Sequence, residues 1–173
     1  MNSRFFYFGL IIFIILISFV VYITQVLRLP IDFSSFYASI LSLKNQQSPY
    51  QTQVLSFLNI TKSSTLNLNT PFFVIIVSPL ALLSYIKAFY FWQVLSMLAL
   101  VYSGFLTLNI YPKQPKSYLL ALFFSYPVLM NFLLGQLCSF LFLFIILGLQ
   151  FERRNKQKLA GLCWGLATAI KLF

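Results

Sequence analysis

Acid–base chemistry in this chain has very few side chains to draw on. Asp32 and Glu152 are the only acidic residues among 173, and there is no histidine. A general base must therefore be one of two carboxylates. Asp32 stands just past a long apolar run, in Leu29-Pro30-Ile31-Asp32-Phe33-Ser34-Ser35-Phe36-Tyr37. Glu152 lies in Glu152-Arg153-Arg154-Asn155-Lys156, which reads as a solvated charged loop. An Asp ahead of an amphipathic helix is also a good N-cap. The two roles are compatible, because a cap can orient a carboxylate toward a substrate.

The cations are the second chemical resource. Arg28, Lys44, Lys62 and Lys87 are spaced to meet a phosphate or, more ordinarily, to snorkel to lipid headgroups. Lys171 differs, because it ends the apolar run Leu166-Ala167-Thr168-Ala169-Ile170. A lysine within a membrane segment is costly enough to suggest a function. Gln136 offers an amide at the Gly135-Gln136 turn, where bonding to its own backbone is the simplest role. Tyr37, Tyr50 and Trp92 are spaced as interface aromatics. Cys138 and Cys163 lie in apolar runs, read as buried free thiols, and supply no zinc or haem ligand set. Two carboxylates on opposite sides make a carboxylate-only metal site unexpected.

The setting for these groups is apolar. Sixty per cent of residues are hydrophobic and 8% charged, and mean hydropathy is +0.88. A soluble domain carries about 25% charged residues. An all-α, polytopic membrane protein is expected, with the 21 phenylalanines as lipid-facing and helix-packing bulk. The net charge of +10 sits in short clusters between apolar runs. That placement fits the positive-inside rule and anionic lipid headgroups. No basic face interleaved with polar contacts exists, so no nucleic-acid partner is expected.

The elements that must position Asp32 follow from the uncharged runs. Residues 5–27 span about 34 Å as helix, enough for a core of roughly 30 Å. No small-x-small cleavage site follows, so this is an anchor rather than a signal peptide, with Arg4 holding the N-terminus cytoplasmic. Residues 28–70 form an extracytoplasmic loop. Within it Phe33, Phe36, Tyr37, Ile40 and Leu41 mark one apolar face of a helix over 33–43, with Ser34, Ser35, Ser39 and Ser42 opposite. That helix is expected along the membrane surface. Ser48-Pro49 and Thr70-Pro71 both read as helix starts.

Residues 71–86, broken by Ser78-Pro79, read as a re-entrant or juxtamembrane helix, and 88–110 as a full span. The charge-free run 117–151 is too long for one pass and folds back at Gly135-Gln136, giving spans 117–134 and 137–151. A last segment, 159–173, is short for a span, so the sequence reads as one transmembrane domain that is cut short. If 71–86 does not cross, Lys113, Lys116, Arg153, Arg154, Lys156 and Lys158 are all cytoplasmic. Asp32, Gly135-Gln136 and Lys171 then share the extracytoplasmic side.

The ordered set of features resembles a known family. One span precedes Asp32-Phe33-x-x-Phe36-Tyr37-Ala38. Ser48-Pro49-Tyr50, Pro71, Ser78-Pro79-Leu80, Trp92, Pro127, Gly135-Gln136 and a closing Gly165-Leu166-Ala167-x-x-Ile170-Lys171 follow. The whole chain resembles the N-terminal portion of a GT-C superfamily glycosyltransferase, most closely family 87, which includes mannosyltransferases.

The resemblance implies a GT-C-like helix bundle with juxtamembrane helices in its first outer loop. It implies transfer of a mannose-like hexose from a polyprenyl-phosphate donor to a lipid or glycan hydroxyl, on the outer face of a bacterial inner membrane. Asp32 would be the base of a single inverting displacement. Tyr37, Tyr50, Gln136, Lys171 and Arg28 would bind substrate, with no cofactor beyond the donor. Two departures stand out. Asn69-Thr70-Pro71 replaces the usual Tyr-Pro-Pro, and Cys138 replaces an Asn frequent two residues after the Gly-Gln. A transporter or flippase, or a non-catalytic truncated remnant, are the alternative readings.

Overall fold

A computed structural model describes residue 9, residues 11–19, residue 22, and residues 32–51, 67–113 and 117–171. Every element among them is a helix. Residues 11–19 are helical, and Phe13 and Ile17, one turn apart, are buried in the common core. Arg4, Arg28, Lys62 and Lys116 lie outside the described residues.

Helix α1 spans Asp32–Lys44. Its expected division into an apolar and an exposed serine face does not hold. Ser34, Ser35, Ser39 and Ser42 are buried, whereas Phe36 and Leu41 are only partly so. The hydroxyls enter the interior because they find acceptors there. Ser39 Oγ donates to the Ser35 and Pro49 carbonyls at 2.9 and 2.8 Å, and Ser42 Oγ to that of Ala38 at 2.9 Å. Serine back-bonding of this kind removes the cost of burying the hydroxyl. Ser48-Pro49, expected to begin a helix, instead forms part of a turn.

Helix α2 spans Pro71–Val77 and continues as a 3₁₀ turn over Ser78–Leu82. Thr70 Oγ1 caps α2 by accepting from Phe73 N at 3.2 Å, and proline takes the first turn. Helix α3, Tyr85–Ile110, is 26 residues long, or about 39 Å. Among the described residues it is the one helix long and apolar enough to cross a membrane. Ile86, Tyr90, Val94, Leu98 and Tyr102 recur every fourth position along it and are all more than two-fifths exposed. A continuous apolar stripe of that kind suits lipid.

The stretch expected as one span over 117–134 is two helices, α4 Ser117–Phe123 and α5 Tyr126–Leu134. Pro127 has no N–H to continue the ladder, and its ring excludes the carbonyl four residues back. Helices α6, Cys138–Arg153, and α7, Gln157–Ile170, form an antiparallel hairpin. At 16 and 14 residues they are about 24 and 21 Å long. Asn155 supplies the left-handed residue of the turn, at φ 57°.

The hairpin brings the start of α6 and the end of α7 to one end of the molecule. Helix α6 also packs along α3. The Arg153 guanidinium lies 4.7 Å over the Tyr111 ring and donates to the Ile110 carbonyl. The C-terminal ends of α3 and α6 are thereby tied together at the opposite, lysine- and arginine-bearing end.

Candidate functional site

Asp32 is the first residue of α1 and is half-buried. Ser35 and Phe36 follow at i+3 and i+4, on the same helical face. All three line a cavity of about 310 Å³ that also takes in Asn67, Asn69, Gln136, Leu137 and Lys171. Side chains from four distant stretches of the sequence meet there.

Gln136 is delivered by the way α5 ends. Gly135 adopts φ 68°, its N–H bonds the Phe132 carbonyl at 3.3 Å, and the Gln136 N–H bonds that of Asn131 at 2.9 Å. This is a Schellman ending. Glycine is required twice over. An added Cβ would occupy a left-handed conformation, and it would lie 2.7 Å from Phe33 Cβ. The turn is anchored from outside as well. Trp92 Nε1 donates to the Gly135 carbonyl at 3.0 Å, and Gln93 Nε2 to that of Phe132 at 2.7 Å. Asn131, itself buried, accepts Cys138 N at 3.0 Å and donates to Ser139 Oγ at 2.9 Å.

So braced, the Gln136 side chain reaches across rather than back. Its Nε2 donates to Asp32 Oδ2 at 2.8 Å, in place of the expected bond to its own backbone. An amide donor directed at one carboxylate oxygen orients the group. Gln136 Oε1 accepts a weak bond from Cys138 Sγ at 3.5 Å. Cys138 is therefore an exposed thiol at the start of α6, not a buried one, whereas Cys163 is buried.

Lys171 follows the last residue of α7 and completes the cavity. Its position is fixed by Thr70, whose Oγ1 donates to the Ala169 carbonyl while capping α2. Asn67 and Asn69 precede that cap. Asn69 N and Nδ2 both donate to Asn67 Oδ1, at 2.9 and 2.8 Å.

The remaining candidates stand elsewhere. Tyr37 is buried and does not line the cavity. Its hydroxyl donates to the Leu83 carbonyl at 2.7 Å, joining α1 to the end of the 3₁₀ turn. Burial raises its pKa above the usual phenol value, so the group stays a donor. Tyr50 lies in an exposed turn outside the cavity. Trp92, expected in an interfacial belt, is buried beneath the site among Phe33, Phe36, Phe73 and Phe140, with ring centroids 4.8 to 6.3 Å away. Glu152 is exposed near the far end of α6, about 21 Å of helix from Cys138. Among the described residues, no three His, Cys, Asp or Glu side chains gather to hold a metal.

Asn67 was not singled out in the sequence, and Ser35 and Asn69 figured there only in the serine face of the helix and in the Asn69-Thr70-Pro71 departure. Ser35 was findable as the i+3 neighbour of Asp32. The asparagines carry only the weak signal of polar residues alternating ahead of a Thr-Pro cap.

A second cavity, about 290 Å³ and almost wholly apolar, is lined by Phe73, Trp92, Phe140, Leu166 and Ile170, among others. Leu137 lines both cavities.

An apolar, lipid-suited face and a cavity lined by one carboxylate, three amides and an amine mark a helical protein that meets both lipid and polar groups. The chain is a member of glycosyltransferase family 87, whose sequence profile matches residues 67–173. No curated protein and no solved structure matches it. Membership supports glycosyl transfer between a sugar donor and an acceptor. Asp32 itself lies ahead of the matched region.

Proposed function

We propose that this protein is a multi-pass membrane hexosyltransferase. It moves a mannose-like sugar from a polyprenyl-phosphate donor to a lipid or glycan hydroxyl on the extracytoplasmic face. The observation that carries this reading is the meeting of Asp32, Gln136 and Lys171 in one cavity that shares Leu137 with an almost wholly apolar one.

The chemistry follows from that arrangement. The acceptor hydroxyl gives its proton to Asp32 while its oxygen attacks the anomeric carbon, in a single displacement that inverts configuration. The bond to the carrier phosphate breaks, and negative charge grows on the departing phosphate. Lys171 offsets that charge. Gln136 orients the base. The apolar cavity accommodates the first isoprenoid units of the carrier, whose remaining tail stays in lipid. Arg28, outside the described residues, is a second candidate cation for the phosphate.

Two features support the orientation. Lys113, Arg153, Arg154, Lys156 and Lys158 lie at the end opposite Asp32, as the positive-inside rule requires if Asp32 faces outward. The α2–3₁₀ unit over 71–82 is also too short to cross, at about 12 residues where a span needs roughly 20. The N-terminus is then cytoplasmic, and 5–27 the first span.

The test uses protein purified from its own membrane and polyprenyl-phosphate-mannose as donor. Asp32→Asn keeps the shape and the partner of Gln136 but cannot accept a proton. Turnover falls about 10²–10⁴-fold, with donor KM little changed. Unaltered turnover removes Asp32 from the mechanism.

A further inference from the structure

We propose that Asn67 is a sugar-hydroxyl ligand in the Asp32 cavity, its Nδ2 donating to a hydroxyl of the donor's hexose. The proposal rests on the glycosyl-transfer reading and adds the residue that recognises the sugar itself.

Asn67 is 5% exposed and lines the cavity with Asp32, Gln136 and Lys171. Its Oδ1 is fully committed, because it accepts from both the backbone and side-chain nitrogens of Asn69. Those two bonds fix the plane of the carboxamide and settle which end is oxygen. They also fix the direction of Nδ2, which is buried and has no hydrogen-bond partner among the described residues. Buried side-chain donors are nearly always paired, and an unpaired one costs about what a lost hydrogen bond costs. At the wall of a polar cavity, the missing acceptor is one that a ligand brings.

The choice among ligand oxygens follows from charge. The cavity already has an ammonium, Lys171, for the anionic phosphate. A neutral, rigidly aimed amide is suited to a neutral hydroxyl. It also discriminates well, because an analogue lacking that hydroxyl leaves the donor unpaired again. Asn67 lines the cavity but its Nδ2 is itself buried, so the sugar reaches it by settling into the Asn67–Asn69 turn.

Asn67→Asp is the discriminating variant. Aspartate keeps the oxygen that holds Asn69 but replaces the amide donor with a carboxylate oxygen. The affinity of the detergent-solubilised protein is measured for polyprenyl-phosphate-mannose and for the same polyprenyl phosphate without sugar, and the ratio of the two Kd values is taken. The ratio cancels any effect of the new negative charge on the phosphate. In the wild type the mannosyl carrier binds more tightly. In Asn67→Asp that advantage shrinks about 5–10-fold, and Asn67→Ala does the same. An unchanged ratio in Asn67→Asp overturns the proposal, as does a wild type that binds both carriers equally. Because the readout is binding, it is independent of whether Asp32→Asn abolishes turnover.

Discussion

Gln136 and Asp32 are 104 positions apart and are joined by a 2.8 Å hydrogen bond from the amide nitrogen to Oδ2. Nothing in either local sequence announces the pairing. It arises because the left-handed glycine at 135 turns the chain toward α1, and because Trp92 holds that glycine's carbonyl.

If the role of Gln136 is to aim the carboxylate, its removal should slow chemistry more than binding. Gln136→Leu is expected to lower kcat about 10-fold or more, in keeping with about 1.5–3 kcal/mol for a hydrogen bond to a charged group. Donor KM should move less than about 3-fold, because the lost bond is to the base and not to the donor. Steady-state kinetics in proteoliposomes separate the two terms. A variant that raises KM alone would assign Gln136 to substrate binding instead.

Gly135→Ala tests the turn itself. The left-handed conformation costs an alanine about 1–2 kcal/mol, and the contact with Phe33 Cβ adds to it. Thermal unfolding in detergent should show a loss of at least ~2 kcal/mol. Activity should drop alongside, because Gln136 is carried on the same turn.

The sidedness can be read chemically. In a background with Cys138 and Cys163 replaced by alanine, single cysteines are placed at Ser48 and Asn155, both exposed. A membrane-impermeant maleimide added to intact cells should label position 48 and spare position 155. Labelling of both, or of 155 alone, contradicts an outward-facing Asp32.

Much of this was legible in residue order, and the misses share a cause. The scarcity of acids singled out Asp32, Thr70-Pro71 marked a capped helix, and Gly135-Gln136 marked a chain reversal. What periodicity could not show is where a polar group finds its partner. The serines of α1 looked solvent-facing but are buried, because Ser39 and Ser42 reach carbonyls one turn back. Trp92 looked interfacial, yet its indole nitrogen meets a buried carbonyl. Tyr37 was read as an interface aromatic, and its hydroxyl meets the Leu83 carbonyl 46 residues on. Asn67 and Asn69 carried only a weak pattern, since their interest lies in which amide hydrogen is left over.

Thr70 uses a single hydroxyl to begin α2 and to receive the closing turn of α7. The segment bearing Asn67 and the last turn of α7, at Ala169, are therefore stitched by one atom. Any chimera that imports another outer loop must bring the matching end of α7 with it. In divergence too, the segment ahead of α2 and the end of α7 are constrained to change together.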